Sequence, residues 1–188
     1  MALKVGSRGD EGPRPTRRPA AAGPDAYYPG EVAQILGCPA IDYAQLRRLY
    51  RLVRRQVPDQ ASTGWAIFTL RDVAAADVAL GLAGGAEGLR QGKRLILQPI
   101  ETACDGLIAL GLQEPLLTVP MLRLGSVVYA LVDGTVLLAR SGQELLDMPL
   151  SPEASWTRAG GRQSLDLVRE RAKEVRDERR RQAIYRLP

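Results

Sequence analysis

Ile41-Asp-Tyr-Ala-Gln-Leu-Arg-Arg-Leu-Tyr-Arg-Leu-Val-Arg-Arg-Gln56 is the stretch from which the rest of the chain can be read. Asp42 is a helix-capping residue type, and Gln45 three positions later closes a capping box. Ile41 and Leu46 occupy the two positions of a hydrophobic staple. The spacing predicts a helix from about Tyr43 to Gln56, ending before Pro58. Leu46, Leu49, Tyr50 and Val53 recur at i, i+3, i+4 and i+7 and form one apolar face. Arg47, Arg48, Arg51, Arg54 and Arg55 fill the opposite face. A helix divided in this way buries one side and turns guanidinium groups outward, where they suit phosphate pairing and bidentate contact with guanine edges.

The flanking segments extend this pattern. Upstream, Val32, Ala33, Ile35 and Leu36 make a short apolar stripe stopped by Gly37, so residues 29–36 read as a helix and Pro39 prevents its continuation. Residues 1–26 repeat Gly, Pro, Arg and Ala without apolar periodicity, the composition of a disordered basic arm. Downstream, Pro58, Asp59, Ser62 and Gly64 mark a turn that feeds a short strand, Trp65 to Phe68. Thr69 starts a third helix with Asp72 in its capping-box position and Val73, Ala76 and Leu80 along one side; Gly84-Gly85 ends it. A short helix, a tight turn, an Arg-lined helix, a hairpin-like wing and a capped third helix therefore follow in order. Residues near the start of such a second helix enter the major groove most deeply. Tyr43, Gln45, Arg47 and Arg48 are the base-reading candidates, and Arg51, Arg54 and Arg55 the phosphate clamps. Trp65 of the wing and Arg71 of the third helix complete the DNA-binding set, although Trp65 and Phe68 also suit packing of the wing itself.

Four pieces carry a resemblance: Tyr28-Pro-Gly-Glu-Val-Ala-Gln-Ile-Leu-Gly37, Leu46-Arg-Arg-Leu-Tyr50, Gly64-Trp-Ala-Ile-Phe68 and Thr69-Leu-Arg-Asp-Val-Ala74. As an ordered set over residues 27–83 they resemble the MerR family of bacterial regulators. The resemblance implies a winged helix-turn-helix that binds double-stranded DNA. The family's recognition helix usually closes on two aromatics and Glu, followed by Gly-Leu; here Arg51-Leu-Val-Arg-Arg55 stands instead. The family's effector-binding thiols are absent, so neither metal nor thiol sensing is implied.

Beyond residue 91 the signals change. Pro99 opens a helix with Ile100, Ala103, Cys104, Leu107 and Ile108 on one face, which makes Cys104 a core residue. Val127 to Val132, Asp133-Gly134 and Thr135 to Ala139 form a β-hairpin with a favoured two-residue turn. Both its faces are apolar, Val127, Tyr129 and Leu131 on one and Val128, Ala130 and Val132 on the other, so both need cover. A second subunit is one source of that cover. Residues 141–150 fit either a third strand or a capped helical turn. Residues 151–161 have linker composition, and 162–186 form one long charged helix whose Leu165, Val168, Ala172 and Val175 keep heptad spacing. The expected class is α+β, mainly α. The expected units are a basic arm (1–26), a winged helix-turn-helix (27–91), a helix-plus-hairpin module for dimerisation or partner binding (92–150), a linker (151–161) and a basic helix (162–188).

Composition narrows the function. The 188 residues hold no His, which removes imidazole catalysis and His-ligated metals. Cys38 and Cys104 are far apart and lack the short spacings of a zinc site. No phosphate loop, paired-carboxylate motif or nucleophile elbow is present, so no catalytic residue, metal or cofactor is assigned and no enzyme is expected. No apolar run is long enough to span a bilayer, and a cytoplasmic protein is expected. Residues 1–24 carry +3 and 157–188 carry +5, whereas 92–156 carry −3. Basic ends suit a polyanion, and the acidic middle suits a part held off it. The expected function is a sequence-specific, dimeric transcriptional regulator. The alternative is an antitoxin of a toxin–antitoxin pair, because some of those proteins similarly join a MerR-like domain to a small extra module. Its C-terminal half would then grip a protein toxin, and its DNA binding would be autoregulatory.

Overall fold

The computed structural model describes residues 26–39, 41–56, 67–91, 94–145 and 161–184. The expected arm (except Ala26), Trp65 with most of the expected wing, and nearly all of the expected linker lie outside the described residues. The fold is α+β. Strand β1 (Ala26–Tyr27) leads into α1 (Pro29–Ile35) and α2 (Tyr43–Arg55). Strand β2 (Phe68–Thr69) pairs antiparallel with β1, Tyr27 opposite Phe68, and runs directly into α3 (Leu70–Leu82).

Local chemistry explains these boundaries. The Glu31 carboxylate accepts the Tyr28 backbone N–H at 2.8 Å and caps α1. At the other end of α1, Gly37 takes φ +65°, and the Cys38 N–H reaches the Ala33 carbonyl. This left-handed closure creates the tight turn into α2. Asp42 accepts the Gln45 N–H at 2.7 Å, and Gln45 returns its side-chain oxygen to the Asp42 N–H at 3.3 Å. Thr69 and Asp72 cap α3 reciprocally in the same manner. The starts of α2 and α3 agree with the capping signals in the sequence, and α1 begins where its apolar stripe placed it.

Helix α3 is where the packing departs from expectation. It is buried not along one side but almost all round: Asp72 to Ala76 and Val78 to Leu80 are all buried. Its small, alanine-rich surface lets neighbours approach on every side, as in a helix at the centre of a core. Helix α2 packs on one flank, and α7 (Gly161–Ile184) lies along another with the most extensive interhelical contact in the fold. Val168 and Ala172 of α7 are fully buried, and Leu165 and Val175 pack against the same core. The heptad spacing of the last helix is thus spent within the chain. Helices α3 and α1 of the same chain supply the apolar surface against which that seam packs.

Between these helices lie α4 (Gly85–Arg90), α5 (Gln98–Ala109) and the single turn α6 (Pro115–Thr118). A four-stranded antiparallel meander follows: β3 (Met121–Leu124), β4 (Val127–Val132), β5 (Thr135–Leu138) and β6 (Gln143–Glu144). The hairpin was expected, and its turn has Asp133 at φ +49° and Gly134 at φ +80°, the doubly left-handed geometry that matches strand twist. Strand β3 was not expected, because four residues between Pro120 and Gly125 carry too little pattern to be recognised. Of residues 141–150, the described part (141–145) contains the short edge strand β6, and 146–150 lie outside the described residues.

The register assigns the faces of the meander. Met121, Val128, Ala130 and Leu137 are buried on the inner side. There α5 crosses so closely that a Cβ on Gly106 would sit 2.4 Å from the Ala139 carbonyl oxygen. On the outer side, Leu122, Leu124, Val127, Tyr129, Leu131, Val136 and Leu138 are aligned by the same pairing, and none is buried.

Candidate nucleic-acid interface

Helix α2 buries Leu46, Leu49, Tyr50, Leu52 and Val53 and leaves Tyr43, Arg47, Arg48, Arg51 and Arg55 exposed. Tyr43, Arg47, Arg51 and Arg55 succeed one another at four-residue steps, so they form one row about 18 Å long. Arg48 flanks the row, beside the exposed small side chain of Ala44. No acidic residue lies within α2. Tyr43 is 51% exposed, so its ring and hydroxyl are open to solvent.

Among the described residues, Arg47, Arg48 and Arg51 have no ion-pair partner. Arg55 approaches Asp105 of α5 at 3.8 Å, but both side chains are more than half exposed, so solvent screens the pair. Arg71 is exposed and ion-paired with Glu114, which precedes α6. Gln45 is engaged in the cap of α2.

Arg54 does not share the outward row. Its guanidinium meets the Asp72 carboxylate at 3.1 Å, with the two side chains only 19% and 6% exposed. It also donates to the Ile67 carbonyl at 3.4 Å and lies 5.3 Å from the centre of the Tyr50 ring. Tyr50 in turn meets the fully buried Phe68 edge to face, with ring centroids 4.9 Å apart. Arg54 thus holds the C-terminal half of α2 against the start of α3, a role unlike the phosphate clamp read from helical spacing. Asp72 was legible as a cap, since Thr69 donates to its Oδ2 from both backbone and hydroxyl. Its second role was not legible, because no local pattern pairs it with an arginine on another helix.

Four further tethers set the positions of β1, α1 and α2 and were not read from the sequence. Glu31, which caps α1, also accepts from Arg179 of α7. The Tyr27 hydroxyl accepts from Arg176 at 2.8 Å, and the Ile35 carbonyl accepts from Arg171 at 3.3 Å. Part of the basic charge of α7 is therefore directed at the N-terminal elements. Buried Gln56, just past α2, donates to the Leu52 carbonyl and accepts the Leu116 N–H, linking α2 to α6.

No family model, curated protein or solved structure matches the chain. The assignment of a role to the α2 surface therefore rests on its physical chemistry. Both cysteines are buried and neither forms a disulfide; the Cys38 thiol donates to the Leu36 carbonyl. Burial pushes the Cys104 thiol up to about 12, with the carboxylates of Asp105 and Glu101 adding to the effect. This thiol is a packing group, as its place in the α5 stripe implied. Among the described residues there is no cluster of three or more metal-ligating side chains, and no helix is long and apolar enough to cross a membrane.

Proposed function

We propose that the protein is a sequence-specific DNA-binding transcriptional regulator of the MerR-like class, with α2 as its recognition helix. One observation carries the reading: Arg47, Arg48 and Arg51 stand exposed, without ion-pair partners among the described residues, on a helix anchored by its opposite face. A helix with its side chains is about 10–12 Å across and the major groove about 12 Å wide, so α2 fits the groove without rearrangement. Arg47 and Arg48, in the N-terminal half, face base edges, with Tyr43 beside them. Arg51 and Arg55, further along, meet phosphates. Arg71 is a secondary candidate on α3, and Trp65, outside the described residues, is a secondary candidate from its place in the sequence. The capped tight turn between α1 and α2 and the β1–β2 pairing support a helix-turn-helix arrangement.

The test is selection of bound fragments from random duplex DNA, followed by fluorescence anisotropy on the enriched and scrambled sequences. Arg47→Ala or Arg48→Ala removes about 1–3 kcal/mol of preference for the enriched sequence. Arg51→Ala weakens both duplexes alike and lowers the slope of log K against log salt by about one. Unchanged binding by the Arg47→Ala, Arg48→Ala, Arg51→Ala triple variant refutes α2 as the recognition helix.

A further inference from the structure

The exposed arginines of the proposed nucleic-acid face fall into two groups. Arg47, Arg48 and Arg51 have no ion-pair partner among the described residues, whereas Arg55 is paired with Asp105 of α5 and Arg71 with Glu114, just before α6. Both pairs flank the C-terminal end of α2. Arg55 is its last residue, and Val53 and Gln56 line one cavity together with Arg71 and Glu114. The charge pattern of the sequence suited an acidic middle held off a polyanion. Two carboxylates of that middle instead stand against arginines assigned to the polyanion. We propose that Asp105 and Glu114 are built-in competitors of DNA phosphate: docking exchanges two internal carboxylates for two phosphates, and the α5–α6 part of the chain thereby lowers the affinity of the α2 face. The inference rests on the DNA-binding reading and adds the residues that set its strength.

Exposure and chemistry both suit these pairs to exchange rather than anchoring. Arg55 and Asp105 are 3.8 Å apart with side chains 59% and 55% exposed, and Arg71 is 61% exposed. Pairs this open to solvent contribute little and yield to a competing anion. The Arg54–Asp72 pair is the contrast: at 19% and 6% exposure it belongs to the packing of α2 on α3. A guanidinium offers the same N–H fork to a carboxylate and to a phosphate. An arginine held by a carboxylate therefore gives up that contact when it meets a phosphate, or shares it at the cost of setting two anions side by side. The backbone at Glu114 adds a further observation. Its φ of +47° lies in the left-handed region, which glycine occupies without strain. The position favours glycine, yet it carries a carboxylate that reaches Arg71. Arg47 and Arg48, the residues assigned to base edges, lie outside both pairs, so the competition acts on phosphate contact alone.

The experiment is a pair of double-mutant cycles on the full-length chain, read by fluorescence anisotropy on the enriched and scrambled duplexes at about 0.1 M salt. Asp105→Asn and Glu114→Gln remove the charges and keep the shapes, and melting curves check the fold of each variant. Each is expected to tighten both duplexes about 2–5-fold, the strength of one exposed ion pair, and to leave the ratio between the duplexes unchanged. The gain of Asp105→Asn is expected to vanish in an Arg55→Ala background, and that of Glu114→Gln in an Arg71→Ala background. Glu144→Gln, at an exposed carboxylate on β6 outside both pairs, is the control of equal charge and gives no gain. Equal gains with and without the arginine overturn the proposal, because the carboxylates then act by general repulsion. So does the absence of any gain, or an equal gain from Glu144→Gln. Asp105 is exposed, so the first cycle decides the matter even where Glu114→Gln fails to fold. The Arg47→Ala, Arg48→Ala, Arg51→Ala variant separates the two readings. Loss of binding there together with additive cycles refutes only the competition, whereas unchanged binding there with vanishing gains refutes only α2 as the recognition helix.

Discussion

Replacing Arg54 by Met separates the arginines that hold the fold from those offered to DNA. Met retains an unbranched apolar side chain and removes the guanidinium. The variant loses the ion pair to Asp72, the hydrogen bond to the Ile67 carbonyl and the contact with the Tyr50 ring. Removing one member of a fully buried ion pair costs about 3–5 kcal/mol, because the other charge is stranded. Asp72 keeps its bonds from Thr69, and Arg54 is 19% exposed at its side chain, so the expected cost falls to about 2–3 kcal/mol. For a chain of this length that lowers Tm by about 5–10 °C. Denaturant unfolding measures the loss. In an Asp72→Asn background no charge is left stranded, and the same substitution should cost about 1–2 kcal/mol less. At a temperature where both proteins are folded, Arg54→Met should leave the salt slope of DNA binding unchanged, whereas Arg51→Met lowers it. Stability within about 0.5 kcal/mol of wild type, together with a salt slope reduced as in Arg51→Met, refutes the inward role of Arg54.

The remaining predictions concern packing. Gly106→Ala sets a Cβ against the Ala139 and Arg140 backbone, so it should destabilise by about 1–3 kcal/mol despite better helix propensity. Gly81→Ala, in the open on α3, should gain about 0.5 kcal/mol; thermal melts of the two variants compare them directly. Val168→Ala should cost about 2 kcal/mol in denaturant titrations, since that side chain is fully buried in the contact of α7 with the core; a cost near zero would mean that α7 is not docked. The raised Cys104 thiol stays protonated in the folded chain while the unfolded thiol ionises near 9, so its contribution is intact below pH 9 and is lost as pH rises towards 12. Over that window the stability of the wild type should fall more steeply than that of Cys104→Ala, by about 1.4 kcal/mol per pH unit, in unfolding curves taken at successive pH values.

The sequence by itself determined the starts of α1, α2 and α3, the turn at Asp133-Gly134 and the split of α2 into apolar and arginine faces. Each of these is set by residues within a few positions of one another, through caps, staples and periodicity, so the information is local. Tertiary structure alone decided the rest. Arg54 and Arg51 look alike in the sequence, and only the approach of Asp72 and Tyr50 turns one inward. Leu165, Val168, Ala172 and Val175 announce a helix with an apolar seam, but a seam does not name its partner. Apolar burial is non-directional, and the surface of α3 in the same chain satisfies it as well as another subunit would. Glu31 caps α1 within its own first turn, and its pairing with Arg179 exists only because α7 folds back over α1. The two apolar faces of the hairpin were equivalent in the sequence; α5, able to approach because residue 106 has no side chain, buried one and left the other partly exposed.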